Sequence, residues 1–197
     1  MFFATFLPVL SLGFSALAAP LVERQAACSD VMLFFARGTA EPAPIGVVAG
    51  PPLQLALKAA LGTKSLSFNG VDYAANIPGF LVGGDVQGSK TMAADLTNAA
   101  KACPSAALVA VGYSQGGQLV HNAAEQLSAD VSGRIKAALI FGDPDNGQAV
   151  SGVAAANTKI ICHKGDNICQ GGVLVLAPHL TYGVDAASAA AFIASKV

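Results

Sequence analysis

The chain has 197 residues, 53% of them hydrophobic and only 12% charged, with a formal net charge of −1. That length suits one domain with one sizeable core. The composition excludes a disordered chain, and the charge-poor balance excludes a nucleic-acid binder working through a basic surface.

Met1–Ala19 is almost wholly apolar or small and carries no acidic residue. Ala16-Leu17-Ala18 offers an A-x-A processing site, so residues 1–18 read as a secretory signal peptide. Residues 19–24 read as a propeptide ending at Arg24, with the mature domain at 25–197. A membrane anchor is the rival reading, but the apolar run is short and broken by Pro8 and Pro20. No later stretch is apolar for long enough to cross a bilayer. The expectation is a secreted, extracellular chain without stable membrane anchoring.

Val31–Ala36 is a continuous apolar run of strand length, suited to a strand buried on both faces. It ends at Arg37-Gly38-Thr39-Ala40-Glu41, which reads either as a functional loop or as a polar turn with an Arg37–Glu41 surface pair. Pro51-Pro52 starts a helix with Leu53, Leu57, Ala60 and Leu61 as its apolar stripe, and Gly62 stops it. A short strand and turn follow within Ser65–Tyr73. Asn76–Gly88 reads as a Gly-rich loop in which Phe80, Leu81 and Val82 pack or line an entrance, with packing favoured. Gly88-Ser89-Lys90 does not supply a phosphate-loop signature. Ser89 is expected to cap a helix to about Ala102, with Pro104 beyond it.

Leu108–Val111 is a further buried strand, followed at once by Gly112-Tyr113-Ser114-Gln115-Gly116 and the start of an amphipathic helix. Strand, tight G-x-S-x-G turn and helix together define a nucleophile elbow. Ser114 is placed at its tip with an exposed hydroxyl, and the Gln115 amide points into the same space. The elbow helix is expected to reach about Ala129, with His121 two turns along it and facing away from the reacting side. Arg134–Phe141 and Thr158–Cys162 read as strands, residues 146–157 as a surface loop, and Asp185–Lys196 as a closing helix. Strand and helix patterns alternate throughout, which predicts an α/β fold with a mostly parallel sheet of about five strands and helices on both faces.

Cys28, Cys103, Cys162 and Cys169 all fall in the mature region. In a secreted chain they read as two disulfides with three possible connectivities, the close spacing favouring Cys162–Cys169 and leaving Cys28–Cys103. A zinc site is the rival, but no paired C-x-x-C is present. No metal or organic cofactor is expected.

A serine nucleophile needs a base, and the base needs a carboxylate to orient it. In the chain order Ser, Asp, His, Asp166 and His179 follow Ser114. Asp166 lies between the two nearby cysteines, and Pro178 fixes the backbone before His179. Asp143, at a strand end, is the alternative acid, and His163 the alternative base. The loop after an early strand supplies the second oxyanion donor in such folds, which makes Thr39 the candidate beside Gln115.

The set ARGTAE, CP-x-x-ALVAVGYSQGG, C-x3-D-x2-C and APHLTYGVDA resembles the fungal cutinase family, from Cys28 to Val197. The resemblance implies a small α/β-hydrolase fold without a large lid. It also implies esterase activity on cutin, the plant-cuticle polyester, and on soluble short-to-medium acyl esters. Carried over, Ser114 is nucleophile, His179 base, Asp166 acid, and Thr39 with Gln115 the oxyanion hole. Family members often carry Ser where Thr39 stands. The implied partner is an ester or polyester at an apolar surface, met by a monomer. The alternatives are an acetylxylan or other carbohydrate esterase and, further off, an inactive secreted surface-binding protein. The intact Ser, Asp and His argue against the latter. The absence of Trp and the apolar Leu174–Leu180 favour acyl chains over sugars.

Overall fold

The computed structural model describes Met1 and residues 28–197. Apart from Met1, the segments expected to be signal peptide and propeptide lie outside the described residues. Among the described residues five strands form one sheet: β1 (Val31–Ala36), β2 (Leu66–Gly70), β3 (Ala107–Tyr113), β4 (Ile135–Phe141) and β5 (Thr158–Ile161). Their order is β2-β1-β3-β4-β5, and every pairing is parallel. Six α-helices accompany them among the described residues: α1 (Gly50–Ala60), α2 (Ile77–Leu81), α3 (Val86–Ala102), α4 (Gln115–Gln126), α5 (Ala129–Ser132) and α6 (Ala186–Ala194).

The inner strands β1, β3 and β4 are apolar runs because both faces are covered. Val31, Leu33 and Phe35 of β1 and Val109 and Val111 of β3 meet Leu53 and Leu57 of α1 and Ala189 and Ile193 of α6. The alternate residues Phe34, Ala36, Leu108 and Ala110 meet Met92 and Leu96 of α3 and Leu119 and Ala123 of α4. Each large side chain taken fully from water in this way contributes about 1.5–3 kcal/mol before entropy is charged against it.

Three local expectations are corrected. The 76–88 stretch is not all loop: Asn76 accepts from the Gly79 N–H at 2.8 Å and caps α2, whose first turn accommodates Pro78. The following helix begins earlier than Ser89, because Asp85 is its cap and accepts from the Gly88 N–H at 2.6 Å. The elbow helix also stops at Gln126, and α5 follows as a separate short turn.

The strand order reverses direction between β1 and β3. At such a switch point the loops leaving the carboxyl ends of the two strands diverge and open a crevice. Here those loops are Arg37–Glu41 and the turn at Ser114.

Candidate active site

The elbow forms because its glycines leave no room for a side chain. A Cβ on Gly112 would sit 2.3 Å from the Gly116 carbonyl oxygen, and one on Gly116 would sit 1.9 Å from that of Ala36. Ser114 between them has φ 56° and ψ −124°, a costly conformation for a residue with a Cβ. The Ser114 N–H donates to the Phe141 carbonyl at 2.9 Å, which ties the turn to the end of β4. Contrary to the sequence expectation, Ser114 is not exposed on a tip: it is 5% accessible and lines the wall of a cleft.

The cleft measures about 370 Å³, and Ser114 and His179 share it with Thr39. The rest of its lining is largely apolar, from Ile77, Phe80 and Leu81 on one side and Ile168, Val173 and Val175 on the other. Phe80 and Leu81 therefore do line an entrance, where packing was the favoured expectation.

His179 is buried in a short 3-10 turn, Ala177–Leu180. Its Nδ1 lies 2.8 Å from Asp166 Oδ2. Its Nε2 is buried and has no hydrogen-bond partner, so one ring nitrogen is oriented and the other is free for chemistry. The backbone is held as well: the Tyr113 hydroxyl donates to the His179 carbonyl at 2.8 Å, and the two rings stack with centroids 5.2 Å apart.

Asp166 is fully buried in the loop between Cys162 and Cys169, which are bonded to each other. Its Oδ1 accepts from the Ile168 N–H at 3.0 Å, and its Oδ2 accepts from the Tyr182 hydroxyl at 2.6 Å. Burial pushes its pKa up, but the hydrogen bonds from Tyr182 and His179 outweigh that and hold the carboxyl below the usual carboxylate range. The second disulfide joins Cys28 to Cys103.

The loop after β1 is braced from two sides. Arg37 is buried, and its Nε donates to the Glu41 carbonyl at 2.8 Å and its Nη2 to the Tyr73 carbonyl at 2.7 Å. The Glu41 carboxylate accepts from the Gly38, Val47 and Val48 N–H groups. No Arg37–Glu41 surface pair exists. The Gln115 side chain crosses from the elbow and donates to Thr39 Oγ1 at 2.9 Å and to the Asn76 carbonyl at 2.7 Å. Thr39 Oγ1 is thus an acceptor towards Gln115, which leaves its own proton to donate elsewhere. The Gln115 N–H belongs to the first turn of α4, where amides lack intrahelical acceptors.

The alternative residues lie elsewhere or do other work. Asp143 is fully buried and sits 3.0 Å from Nε2 of His121, whereas the carboxylate on His179 is that of Asp166. His121, Asp143 and Asp145 bring ligand-type atoms within 4.8 Å of one another, but His121 and Asp143 already bond to each other directly at 3.0 Å. His163 faces Asp185 rather than Asp166. Tyr182, Tyr113 and the Gln115 side chain were not singled out from sequence. The signal for Tyr182 was its place three residues beyond His179.

An all-parallel sheet with a nucleophile elbow, an Asp-bound histidine and an apolar cleft at its carboxyl edge defines the α/β-hydrolase class of serine hydrolases. Within that class the chain matches the family model "Cutinase" over residues 27–197. It is 58% identical over 188 residues to "Cutinase" of Botryotinia fuckeliana, covering 95% of this chain and 93% of that one. It is also similar to the solved structure of Trichoderma reesei cutinase in complex with a C11Y4 phosphonate inhibitor. There the TM-score is 0.82 and the identity 46%, over 85% of this chain and 76% of that one. An acetylxylan esterase structure shares the fold at TM-score 0.71 with 24% identity, over 86% of this chain and 99% of that one. The chain belongs to the cutinase family and is a carboxylic ester hydrolase.

Proposed function

We propose that this chain acts outside the cell as a monomeric serine esterase on cutin and on short-to-medium acyl esters, with residues 25–197 as the mature enzyme. Ser114 attacks the ester carbonyl while His179 Nε2 takes its proton. Asp166 holds the ring and stabilises the imidazolium that forms. The Gln115 and Thr39 amides, with the Thr39 hydroxyl, stabilise the oxyanion. The alcohol leaves with the proton from His179, and water then hydrolyses the acyl-enzyme by the same route.

The observation that carries this reading is the free Nε2 of an Asp-bound His179 in the same apolar cleft as Ser114. The mouth of the cleft supports a polymer surface as substrate. Ile77 and Leu81 on one side and Val173, Val175 and Leu180 on the other are more than half exposed. Exposed apolar groups clustered around one opening mark a binding surface. An apolar lining favours acyl chains over acetylated sugars, and 58% identity to a cutinase points the same way. Secretion is supported by the apolar Met1–Ala19 and the two disulfides, and among the described residues no helix is long and apolar enough to cross a membrane.

The test pairs two assays. A fluorophosphonate probe should label the wild type and not Ser114→Ala, and Ser114→Ala should be folded and inactive. Release of monomers from cutin should far exceed release of acetate from acetylated xylan. The opposite ranking would assign the chain to carbohydrate esters.

A further inference from the structure

Behind Asp166 and His179 stands a histidine that the reaction does not use. His163 directly follows Cys162, just beyond β5. Its Nδ1 lies 2.9 Å from the Pro178 carbonyl oxygen, and its Nε2 lies 2.6 Å from Asp185 Oδ2. Its ring stacks on Tyr182 with centroids 4.1 Å apart and planes 22° apart. Its backbone N–H donates to the Tyr182 hydroxyl at 2.9 Å.

Both groups that face the ring nitrogens are acceptors. A neutral imidazole has one ring proton and serves one of them, whereas an imidazolium serves both. The Thr181 hydroxyl lies 3.0 Å from the Pro178 oxygen and 3.1 Å from His163 Nδ1. Its single proton can replace one of these contacts but not both. The carbonyl in question belongs to the peptide that joins Pro178 to His179. With Tyr113 on the next carbonyl, the peptide planes on both sides of the His179 Cα are pinned.

We propose that His163 is a positioning residue for His179: as an imidazolium it clasps the Pro178–Asp185 segment to the Cys162–Cys169 loop, and loss of its proton loosens the catalytic base. This inference rests on the Ser114–His179–Asp166 reading above.

The charged groups that bear on the ring, Asp185 and Asp166, both favour its protonated form. Partial burial lowers the His163 pKa, but the Pro178 and Asp185 hydrogen bonds and the nearby Asp166 charge outweigh it, so the net shift is upward. Tyr182 is held neutral by burial and by its bond to Asp166. His179 approaches Tyr182 edge-on from the other side. A raised histidine pKa means that the clasp is complete below about pH 6.5 and is lost as pH rises through the folded-state value. The base, however, must be neutral to accept the Ser114 proton. The two demands oppose each other and give turnover an alkaline limb as well as an acid one.

The experiment measures kcat and KM for p-nitrophenyl butyrate across pH with wild type, His163→Gln and His163→Arg. His163→Gln is expected to lower kcat about tenfold at neutral pH, less than the roughly 100-fold that a full 1 Å misplacement of a catalytic group can cost, with KM within about twofold. Its alkaline limb should vanish. His163→Arg offers two donors that do not titrate, so it should recover most of kcat and hold it into alkaline pH. A folded His163→Gln with wild-type kcat and an unchanged alkaline limb overturns the proposal. Should His163→Gln fail to fold, NMR titration of the wild type decides. A doubly protonated His163 ring that titrates with the alkaline limb supports the clasp, and a neutral ring at neutral pH overturns it. Fluorophosphonate labelling of the wild type keeps the two readings apart. An unlabelled wild type refutes the Ser114 assignment, whereas a labelled one with indifferent His163 variants refutes only the clasp.

Discussion

The Tyr182 hydroxyl donates to the same Asp166 oxygen that orients His179, at 2.6 Å against 2.8 Å for the histidine. Tyr182 and Asp166 are both fully buried, so no water competes for that oxygen. A donor to an ionised, buried carboxylate is worth about 1.5–3 kcal/mol. It also favours the charged form, which is why the Asp166 pKa falls despite burial. A lowered carboxylate pKa contributes stability that is present above about pH 4 and is lost as pH falls through the folded-state value. Tyr182→Phe keeps the ring and removes the donor. It should lose about 1.5–3 kcal/mol at neutral pH and begin acid unfolding at higher pH than the wild type. Urea unfolding at a series of pH values measures both. An unchanged acid transition would mean that the hydroxyl does not support the ionised carboxylate.

The two candidate acids differ in what they face, and their asparagine variants should differ accordingly. Asp166→Asn removes the charge from His179 and allows the wrong ring tautomer. Turnover should fall about 1000-fold or more. Asp143→Asn acts on His121 instead. There burial lowers the histidine pKa, but the Asp143 hydrogen bond and charge raise it further, so the net shift is upward. Stability from that pair is therefore full below about pH 6.5 and fades as pH rises through the raised value. Asp143→Asn should keep most of the activity and lose more stability in mild acid than in alkali. Melting temperatures at two pH values, beside kcat, test this.

What the sequence makes legible follows from how local each signal is. The strands β1, β3 and β4 read directly because burial on both faces demands unbroken apolar runs. The elbow reads from its glycines, because strand and helix backbones touch there. Asp166 and His179 are picked out by chain order together with the flanking cysteines and Pro178. Their supports do not, because they are tertiary. Nothing local says that Gln115 reaches Thr39 across 76 residues, or that His163 meets Asp185 and Tyr182 meets Asp166. The helix α2 hides in a Gly-rich stretch because its stability comes from the Asn76 cap and from its place beside the cleft rather than from propensity. Ser114 reads as exposed from the elbow motif, and only the apolar walls of the cleft make it buried.

Thr39 faces the elbow across the cleft, and its geometry predicts how far the hydroxyl matters. Gln115 Nε2 occupies a lone pair of Thr39 Oγ1, which fixes the oxygen and frees its proton to donate. Thr39→Val keeps shape and backbone amide but removes that donor. By the usual cost of one oxyanion donor, kcat should drop about 100-fold with KM little changed. Thr39→Ser should retain most of kcat. Equal activity in Thr39→Val and wild type would leave the backbone amides as the whole oxyanion hole.

The two disulfides should separate stability from turnover. Cys28–Cys103 closes a loop with a sequence separation of 75, and Cys162–Cys169 one of only 7. On the chain-entropy model the first contributes roughly 4–5 kcal/mol and the second roughly 2–3. The short one brackets Asp166, and its Cys162 end precedes His163, so it limits how far the carboxylate wanders from His179. Replacing Cys162 and Cys169 by serine should lower kcat at temperatures where the protein is still folded, with a modest fall in melting temperature. Replacing Cys28 and Cys103 should mainly lower the melting temperature and leave kcat of the folded fraction near wild type. The entropy argument predicts the ranking of the melting temperatures, whereas the placement of Asp166 predicts the opposite ranking of the turnover numbers. Circular dichroism melts and initial rates on the same preparations read the two orders independently. A Cys162/Cys169 variant with wild-type kcat below its melting transition would show that Tyr182 and the Ile168 N–H hold Asp166 without the clip.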